Sequence, residues 1–528
     1  MRKVLVMLLV VVLGCSLFAA GTKEAPQAQA APKMVVTFPL AEPLTLDFII
    51  AGIANLKDPN GLEFFKAMEA KTNVHINWEM INTGWTERKS LIFANDELSD
   101  AFFGAKAFTN TDIANNSTFL EPLEDYIAAY CPNIQKMFTD YPEYRKYVTS
   151  ADGHIYTLPQ RMPLRPETRN LQYINKAWLD KLGLAVPQTT EEFYQVLKAF
   201  KTGDPNGNGK ADEIPFIFDE LKPANGMVSI FGAFGLAENT SGDWIMVEKG
   251  KVSYIFADPR LKDAIRYMHK LYSEGLVDTE VFTQPVGQLN AKVRNPEVAL
   301  VGSGYNWTIE AAMNNATRAK DYVALPPLKG PNGDQLWRPS TIMTGDNIAF
   351  VLSKNNPAKE VTMAWIDQFY DPKLGIQLYF GPEGSCLEIG SDGKYTILPS
   401  KDPKMTADAW MWANGLNDRS PIFIDENFEK NINWNSWVAE KLNYDKIYAP
   451  YAAKVEEFPP FMHYTKAESD EMTMIHTEMN KFATQKIAQW VVNGTIDAEW
   501  DAYRKQLDNI GLARLIEIRQ KAYDNFKK

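Results

Sequence analysis

The order of apolar and polar positions predicts alternating strands and helices in the first part of the chain. Residues 34–39, 74–80 and 100–104 have the short apolar or alternating runs that are typical of strands. Residues 60–71 have apolar residues at helical spacing. A chain that alternates strands with helices favours a parallel or mixed sheet covered by helices.

The same pattern returns in the second half of the chain. Residues 322–328 and 347–353 are predicted strands, and residues 357–370 are a predicted amphipathic helix in which Trp365 has the spacing of a core residue. The closing stretch, residues 465–527, is predicted to be mostly helical. The chain has no internal repeat of roughly 20–50 residues, which argues against a solenoid or propeller.

The start of the chain has the pattern of an export signal. Arg2 and Lys3 precede an apolar run over residues 4–13, which is too short to span a membrane. The run ends in Val-Leu-Gly-Cys at residues 12–15, which resembles a bacterial lipobox.

The leader therefore predicts a lipid-anchored protein. We expect a signal peptide over residues 1–14, lipidation of Cys15 and a flexible tether over residues 15–33. This places the protein outside the cytoplasm, on the outer face of the cell membrane or in the periplasm. The alternative is ordinary cleavage after Ala30, with Cys15 discarded.

Composition narrows the class of protein. The 528 residues carry 55 lysines and arginines against 66 aspartates and glutamates, a formal net charge of −11. An acidic chain argues against nucleic acid or an anionic membrane surface as the main partner, because both favour clustered Lys and Arg. Apolar residues make up 45% of the chain, which is ordinary for a soluble globular protein.

The cysteines are too few for a disulfide framework. Of the three in the chain, only Cys131 and Cys386 lie in the part that we expect to fold. A disulfide between these two and a pair of buried free thiols are both consistent with the sequence.

The strongest local signal is DPNGNGKADE at residues 204–213. Oxygen-bearing side chains alternate along it, a glycine occupies the sixth position, and the seventh can offer its carbonyl, as in an EF-hand calcium loop. The expected ligands are Asp204, Asn206, Asn208, Lys210 through its carbonyl, Asp212 and Glu213. The loop departs from an EF-hand at its end, because the twelfth position is Pro215 and residues 214–216 have strand character.

Two interpretations of this loop are open. A polar Asn-Gly turn, in which aspartates cap backbone groups, would have a similar composition. Several oxygen ligands at regular spacing favour calcium, which binds six to eight oxygens. We expect a structural ion and not a sensor, because nothing in the flanks suggests a helix pair that opens.

Four stretches carry a resemblance to a known family: residues 172–216, residues 125–137 followed by 151–159, residues 324–334 and residues 379–388. The chain resembles the extracellular solute-binding proteins of bacterial ABC sugar importers, of the large type that includes alginate-oligosaccharide-binding proteins and LplA-like lipoproteins. The resemblance implies a monomeric α/β protein with a two-lobe periplasmic-binding-protein fold. It also implies an oligosaccharide ligand in a hinge-closed cleft and importer membrane subunits as partners.

By the same analogy, each lobe is built from discontinuous segments. Lobe one is expected at residues 34–160 plus 323–370, and lobe two at residues 161–322 plus 371–528. The helical tail then belongs to lobe two.

A sugar site needs aromatic faces for stacking and planar polar groups for hydrogen bonds. Family-type positions give the candidates Trp85, Asp100, Tyr305, Asn306, Trp307, Trp337, Arg338 and Glu383. Arg161, with Arg165 and Arg169, is a candidate for holding an acidic sugar.

Each candidate has an ordinary structural alternative. A Trp is often a core residue, Asp100 can be a simple cap, Glu383 can brace a turn, and the arginines can be surface charges.

The alternative function is a secreted carbohydrate-active hydrolase or lyase, which would also be rich in carboxylates and aromatics. The five histidines form no His-x-x-x-His pair, and the sequence contains neither a Gly-x-Ser-x-Gly elbow nor a phosphate-binding P-loop. The resemblance over most of the chain favours a non-catalytic binding protein.

Overall fold

The computed structural model describes residues 35–53, 56–163, 168, 170–223, 225–238, 242–339, 345–405, 407–434 and 436–527, apart from the side chains of residues 407, 408, 436 and 437. The predicted signal peptide, the tether and Cys15 lie outside the described residues. No helix in these ranges is long and apolar enough to cross a membrane.

The strands are β1 Leu44–Ala51, β2 Val74–Ile81, β3 Ala101–Phe103, β4 Thr157–Arg161, β5 Leu171–Asn175, β6 Ile214–Phe216, β7 Ile245–Glu248, β8 Lys251–Tyr254, β9 Val301–Asn306, β10 Tyr322–Leu325, β11 Gly345–Leu352, β12 Leu387–Ile389, β13 Tyr395–Ile397 and β14 Ile432–Asn433. The helices are α1 Glu63–Thr72, α2 Trp85–Ala94, α3 Asn110–Asn116, α4 Glu124–Tyr130, α5 Pro132–Asp140, α6 Pro142–Val148, α7 Lys176–Lys181, α8 Thr190–Thr202, α9 Leu261–Ser273, α10 Val286–Val293, α11 Ile309–Met313, α12 Ala316–Ala319, α13 Lys359–Asp367, α14 Pro372–Phe380, α15 Ala407–Asn414, α16 Glu426–Glu429, α17 Ser436–Ala452, α18 Lys466–Asn493, α19 Ile496–Ile510 and α20 Leu512–Lys527.

The first sheet has five strands in the order β2-β1-β3-β11-β4. The first three are parallel, and β11 runs antiparallel to both β3 and β4. Alternate residues of β1 enter two different cores, with Phe48 and Ile50 on one face and Ile49 and Ala51 on the other. Because both faces are covered in the middle of the sheet, β1, β3 and β11 are largely apolar, whereas β2 at the edge alternates buried apolar with exposed polar residues. Trp365 of α13 is 1% exposed and packs on Phe48, which confirms it as a core residue.

The second sheet has four strands in the order β10-β5-β9-β6. Helix α8 covers it because Thr189 caps the first turn, accepting a hydrogen bond from the Glu192 amide at 3.1 Å, and because Phe193, Leu197 and Phe200 form a buried stripe. The three C-terminal helices α18, α19 and α20 belong to the same core. Two small sheets, β7-β8 and β12-β13-β14, complete the described part of the chain.

Most of the predicted elements are confirmed, at β2, β3, β10, β11, α1, α13 and the three closing helices. The strand predicted over residues 34–39 is wrong. Val35 is 85% exposed, and the position beside β2 is taken by Leu44–Ala51, whose residues pair with Val74–Ile81 along their whole length. The longer apolar segment wins the buried position because it removes more apolar surface from water.

The core packing divides the chain differently from the expected lobe boundaries. Residues 371–432 are expected in lobe two, but their buried side chains, from Ile376 to Ile432, pack into the core of the first sheet. Residues 323–325 are expected in lobe one, but they belong to β10, which pairs with β5 in the second sheet. Sequence reasoning missed both because a segment's lobe depends on its pairing partner, which its own pattern does not specify.

The two cysteines are both buried and free. The Cys131 thiol lies 3.4 Å from the Met363 carbonyl oxygen, inside the first core. Of the two alternatives that the sequence left open, the structure has the pair of buried thiols.

Asp367, the last residue of α13, connects that helix to the start of α5 within the first core. Its carboxylate accepts hydrogen bonds from the backbone amides of Ile134 at 2.9 Å and Asn133 at 3.2 Å, at the start of α5. These amides have no partner within their own helix, and a carboxylate is favourable at a helix N-terminus.

We predict that Asp367→Ala lowers the free energy of unfolding by about 2 kcal/mol, because buried amides lose their acceptor. Urea unfolding followed by circular dichroism measures this change. Asp125→Ala, at an exposed position of α4, is the control and should change the free energy of unfolding by less than about 0.5 kcal/mol. Equal stability of the two variants would contradict the role of Asp367.

Candidate functional site

The connections between the sheets define where a ligand site can lie. The chain passes from one core to the other three times: between residues 434 and 448 through α17, and between residues 161 and 171 and residues 337 and 345 through two segments that we call the crossing segments. Thr168 and Pro339 form an antiparallel bridge between these two crossing segments.

The crossing segments leave each sheet at one edge. In the first sheet, Arg161 pairs with Gly345, and the carboxyl ends of β1, β2 and β3 lie at the same edge. In the second sheet, Leu171 lies opposite Asn306, so the carboxyl end of β9 is at the edge that the crossing segment enters. We call these two edges the facing edges. Residues 304–307, at the end of β9, therefore lie on the second facing edge. The loops after β2 and β3 lie on the first.

Trp307 follows β9 and is partly exposed on the second facing edge. Its backbone amide donates to the Asn306 side-chain oxygen at 2.7 Å, which is a local contact between two predicted residues that are neighbours in the chain. The ammonium of Lys441 lies 4.4 Å from the centroid of the indole ring. One face of the indole is therefore covered by a cation.

Lys441 also holds a crossing segment. Its ammonium donates to the Thr168 carbonyl oxygen at 2.9 Å. Asp445, one turn further along α17, accepts from the Thr168 amide at 2.7 Å and from its hydroxyl at 2.5 Å. Burial lowers the pKa of Lys441 to about 8, and the neighbouring Asp445 opposes that shift.

Tyr305 and Trp337 lie beneath the second facing edge. Each is only 5% exposed. The Trp337 ring packs on Tyr448 of α17 at 4.6 Å, and its indole N–H donates to the Asn170 carbonyl at 3.1 Å. Tyr305 and Trp337 are therefore buried beneath the edge. For Trp337 this is the core position that the sequence analysis gave as the alternative to ligand binding.

Arg338 forms an ion pair with Glu238, with its Nε 3.3 Å from the carboxylate. The two side chains are 13% and 0% exposed. The carboxylate of Glu238 balances the positive charge of Arg338, so this guanidinium already has a partner in the absence of ligand.

Trp85 is the predicted residue on the first facing edge. It begins α2 directly after the loop that follows β2, its indole N–H donates to the Ala107 carbonyl at 2.5 Å, and its ring packs edge-on against Phe108. The loop after β3 is fixed further by Asp346, which accepts from the Lys106 amide at 2.6 Å. Burial raises the pKa of Asp346 to about 6.

Two other predicted residues make local structural contacts. Asp100 precedes β3, at the opposite end of that strand, and its carboxylate accepts from the Asp47 amide at 2.8 Å, so it acts as a backbone cap. Burial raises its pKa. Glu383 is exposed in a turn, where its amide donates to the Gln377 side chain at 3.3 Å.

Arg161 is packed inside the first lobe. It is 5% exposed, and its guanidinium carbon lies 5.1 Å and 5.4 Å from the ring centroids of Tyr141 and Phe423. One of its nitrogens binds Glu426. The companions Arg165 and Arg169 lie outside the described residues, so the expected arginine cluster is represented only by a residue that braces the fold.

The loop at residues 204–213 is closed by hydrogen bonds among its own groups. Asp204 accepts from the amides of Gly207, Asn208 and Gly209 at 3.0–3.2 Å. The side-chain amides of Asn206 and Asn208 both donate to Asp212, at 2.8 Å and 2.9–3.1 Å. These contacts lower the pKa of Asp212.

Glu213 is the unusual member of this loop. Both of its carboxylate oxygens are inaccessible to solvent and have no hydrogen-bond partner among the described residues. Burial raises its pKa, the backbone amides of Glu213 and Asn206 partly oppose that shift, and the nearby Asp212 and Asp204 add to it. A buried carboxylate without donors is costly, and a cation would compensate it. The residues present therefore fit an oxygen-coordinated cation.

The described residues contain no group of three or more His, Cys, Asp or Glu side chains arranged to hold a metal. A cation at this loop would depend on amide and carbonyl oxygens as well as carboxylates, which is the mixture that calcium accepts.

Sequence reasoning missed the residues of α17 that organise the second facing edge. Lys441, Asp445 and Tyr448 recur at helical spacing on one side of the helix, and all three are buried. The available signal was a Lys and an Asp on the side of a helix that also carries buried Tyr448 and Ala452. A charged pair in such a position indicates a buried polar contact.

The chain matches the family model described as bacterial extracellular solute-binding protein over residues 63–379. It is 31% identical to the fructooligosaccharide ABC transporter substrate-binding protein FusA of Streptococcus pneumoniae serotype 4, over 97% of this chain and 96% of FusA. It is 29% identical to lipoprotein LipO of Bacillus subtilis, over 49% of this chain and 51% of LipO.

Solved structures agree with these relatives. The fold is similar to FusA in complex with kestose, with a TM-score of 0.80 and 30% identity, over 92% of this chain and 99% of that one. A FusA EF-hand mutant in complex with fructo-nystose has a TM-score of 0.79 and 30% identity over the same shares. An HMO-binding, ABC-transporter-associated solute-binding protein of Bifidobacterium longum infantis has a TM-score of 0.84 and 27% identity, over 92% and 100%.

The chain belongs to the bacterial extracellular solute-binding protein family. The expected α/β fold of two lobes is confirmed by the two sheets and by these structures.

We predict that Arg161→Met lowers the free energy of unfolding by about 1–3 kcal/mol, because two or more cation–π contacts are lost from a buried position. Ligand affinity should stay within about twofold, since the backbone of Arg161 is at the first facing edge but its side chain is buried against Tyr141 and Phe423. Urea unfolding and calorimetric titration measure the two quantities.

The matched control is Arg266→Met. Arg266 pairs with Asp497 and Asp263 at the surface, with 47% of its side chain exposed, and should contribute less than about 1 kcal/mol. An Arg161 variant with unchanged stability and lost affinity would instead make Arg161 a ligand residue.

Proposed function

We propose that this protein is the substrate-binding component of an ABC importer, and that it captures an oligosaccharide outside the cytoplasmic membrane. The observation that carries the proposal is the pair of facing edges, with Trp307 on one and Trp85 on the other, in a chain of the solute-binding family. Aromatic faces stack on the C–H patches of a sugar ring, and amide groups such as Asn306 bind its hydroxyls.

FusA is named for fructooligosaccharides, and two of its structures hold kestose and fructo-nystose. Fructose-containing oligosaccharides are therefore the first ligands to test. The protein binds and releases its ligand without chemistry, and the membrane subunits of the importer receive it.

Capture works by closure of the two lobes about the crossing segments. A ligand held between the facing edges contacts both lobes only when they are closed. It therefore stabilises the closed state over the open state by the difference between its free energies of binding to the two states.

The protein acts as a monomer anchored through lipidated Cys15. The basic start, the short apolar run and the lipobox support this anchor, and LipO is a relative that is named as a lipoprotein. The tether over residues 15–33 gives the two lobes freedom to reach the importer.

The loop at residues 204–213 holds a structural calcium ion. The two buried oxygens of Glu213 that lack a hydrogen-bond partner support it, and a FusA structure is described as an EF-hand mutant. The ligands would be Asp204, Asn206, Asn208, the Lys210 carbonyl, Asp212 and Glu213. Calcium would fix the connection between α8 and β6 in the second lobe.

Trp307→Ala should weaken oligosaccharide binding by about tenfold or more, a change of about 1.4 kcal/mol, because a stacking face is lost. The melting temperature should change by no more than a few degrees, since Trp307 is partly exposed. Isothermal titration of the protein lacking residues 1–33 with kestose, nystose and an alginate oligosaccharide measures the affinity.

Phe119→Ala is the control for this measurement. Phe119 is also partly exposed, but it adjoins the bridge between Leu120 and Ser353, next to the carboxyl end of β11 and away from the crossing segments. Its loss should leave the affinity unchanged. Chromatography of the sugars after titration should recover them intact, and consumption of a sugar would favour the hydrolase or lyase.

Glu213→Gln should separate the two interpretations of the loop. In chelator, the variant should melt at or above the temperature of the unaltered protein, because a buried unpartnered charge is removed. In calcium, the unaltered protein should gain about 4 kcal/mol at a thousandfold excess over Kd, and the variant should gain much less. Thermal melts in calcium and in chelator measure both effects.

Asp58→Ala is the matched control, because Asp58 accepts from the Asn60 amide at 2.9 Å in a comparable turn of the first lobe. Its calcium response should equal that of the unaltered protein. An unchanged calcium response in Glu213→Gln would support a simple polar turn.

A further inference from the structure

Lys441 occupies an unusual position for a lysine. It is 0% exposed, and its ammonium lies between the Trp307 indole and the Thr168 carbonyl. A buried ammonium is costly unless its charge and its donors are compensated. Lys441 therefore joins three parts of the protein: the helix α17, the crossing segment that contains Thr168, and the partly exposed Trp307 of the second facing edge.

The contact fixes which part of Trp307 a ligand can use. The ammonium lies over one ring face at 4.4 Å from the centroid, so a sugar could stack only on the opposite face. Because the pKa of Lys441 is about 8, the ammonium form predominates at neutral pH, and only that form makes a strong cation–π contact.

The lysine is itself held in place. Its partner Thr168 is bound a second time by Asp445, through the amide at 2.7 Å and the hydroxyl at 2.5 Å. Thr168 also bridges to Pro339 in the other crossing segment. The indole, the helix α17 and both crossing segments therefore form one connected unit.

We propose that Lys441 is a positioning residue, which holds the Trp307 indole against the crossing segment and presents its free face to the oligosaccharide. The inference rests on the proposed function, because it assigns Trp307 a ligand. It adds that the orientation of the stacking residue depends on a buried cation that the ligand does not touch.

The first test needs no ligand. Protein labelled with 5-fluorotryptophan gives a fluorine resonance for Trp307, which is assigned from its absence in Trp307→Phe. We expect Lys441→Met to shift and broaden that resonance, because the ring loses its fixed orientation. An unchanged resonance would overturn the inference, whatever the protein binds.

The second test is a double-mutant cycle for sugar affinity. Lys441→Met should weaken binding about five- to tenfold when Trp307 is present and by less than about twofold when it is replaced in Trp307→Ala. Equal losses in both backgrounds would mean that Lys441 acts through the fold and not through Trp307. Failure of the unaltered protein to bind any sugar of the panel would refute the proposed function separately, and the fluorine result would still decide the orientation.

Two further variants keep the test decisive. Lys441→Gln keeps a donor for Thr168 but has no charge, so it should fold and still lose part of the affinity. Lys446→Met, at an exposed position of the same helix, should change neither the resonance nor the affinity. A Lys441→Gln variant that matches the unaltered protein in both measurements would contradict the role of the charge.

Discussion

The antiparallel pairing of β4 with β11 is the constraint on which the rest of the structure depends. Arg161 is the last residue of β4 and Gly345 is the first residue of β11, and the two lie opposite each other. The chain therefore leaves the first sheet and returns to it at neighbouring positions. A Cβ atom on Gly345 would lie 2.1 Å from the Gln160 carbonyl oxygen, so only glycine allows this approach. Because the chain returns beside its exit, both crossing segments leave the first sheet at the same edge, which is where we propose that the ligand binds.

Buried charges near this junction are each matched by a partner. Lys441 is compensated by the Thr168 carbonyl and the Trp307 ring, and Arg338 by Glu238. Such groups cost free energy when they lose their partners, and they accept few alternative geometries. The facing edge therefore gains a defined shape before a ligand arrives, which reduces the ordering that binding must supply.

The local elements could be predicted because periodicity and caps are properties of short segments. Helices α1 and α13 are examples, because the helical spacing of their apolar residues is visible in the letters. The strand expected at residues 34–39 failed because Leu44–Ala51 competes for the same partner. A competition of that kind is decided by pairing and not by pattern.

The sequence by itself determined the class of the protein, its alternating elements and the residue types of its loop and candidate site. Only the tertiary structure decided which of the candidate aromatics are exposed. Trp307 and Trp337 are alike as letters, yet Trp307 is partly exposed on a facing edge and Trp337 lies in the interior. The reason is physical: exposure and electrostatic environment arise from contacts between segments that are far apart in the chain, such as Lys441 and Thr168, and no local pattern records such a contact.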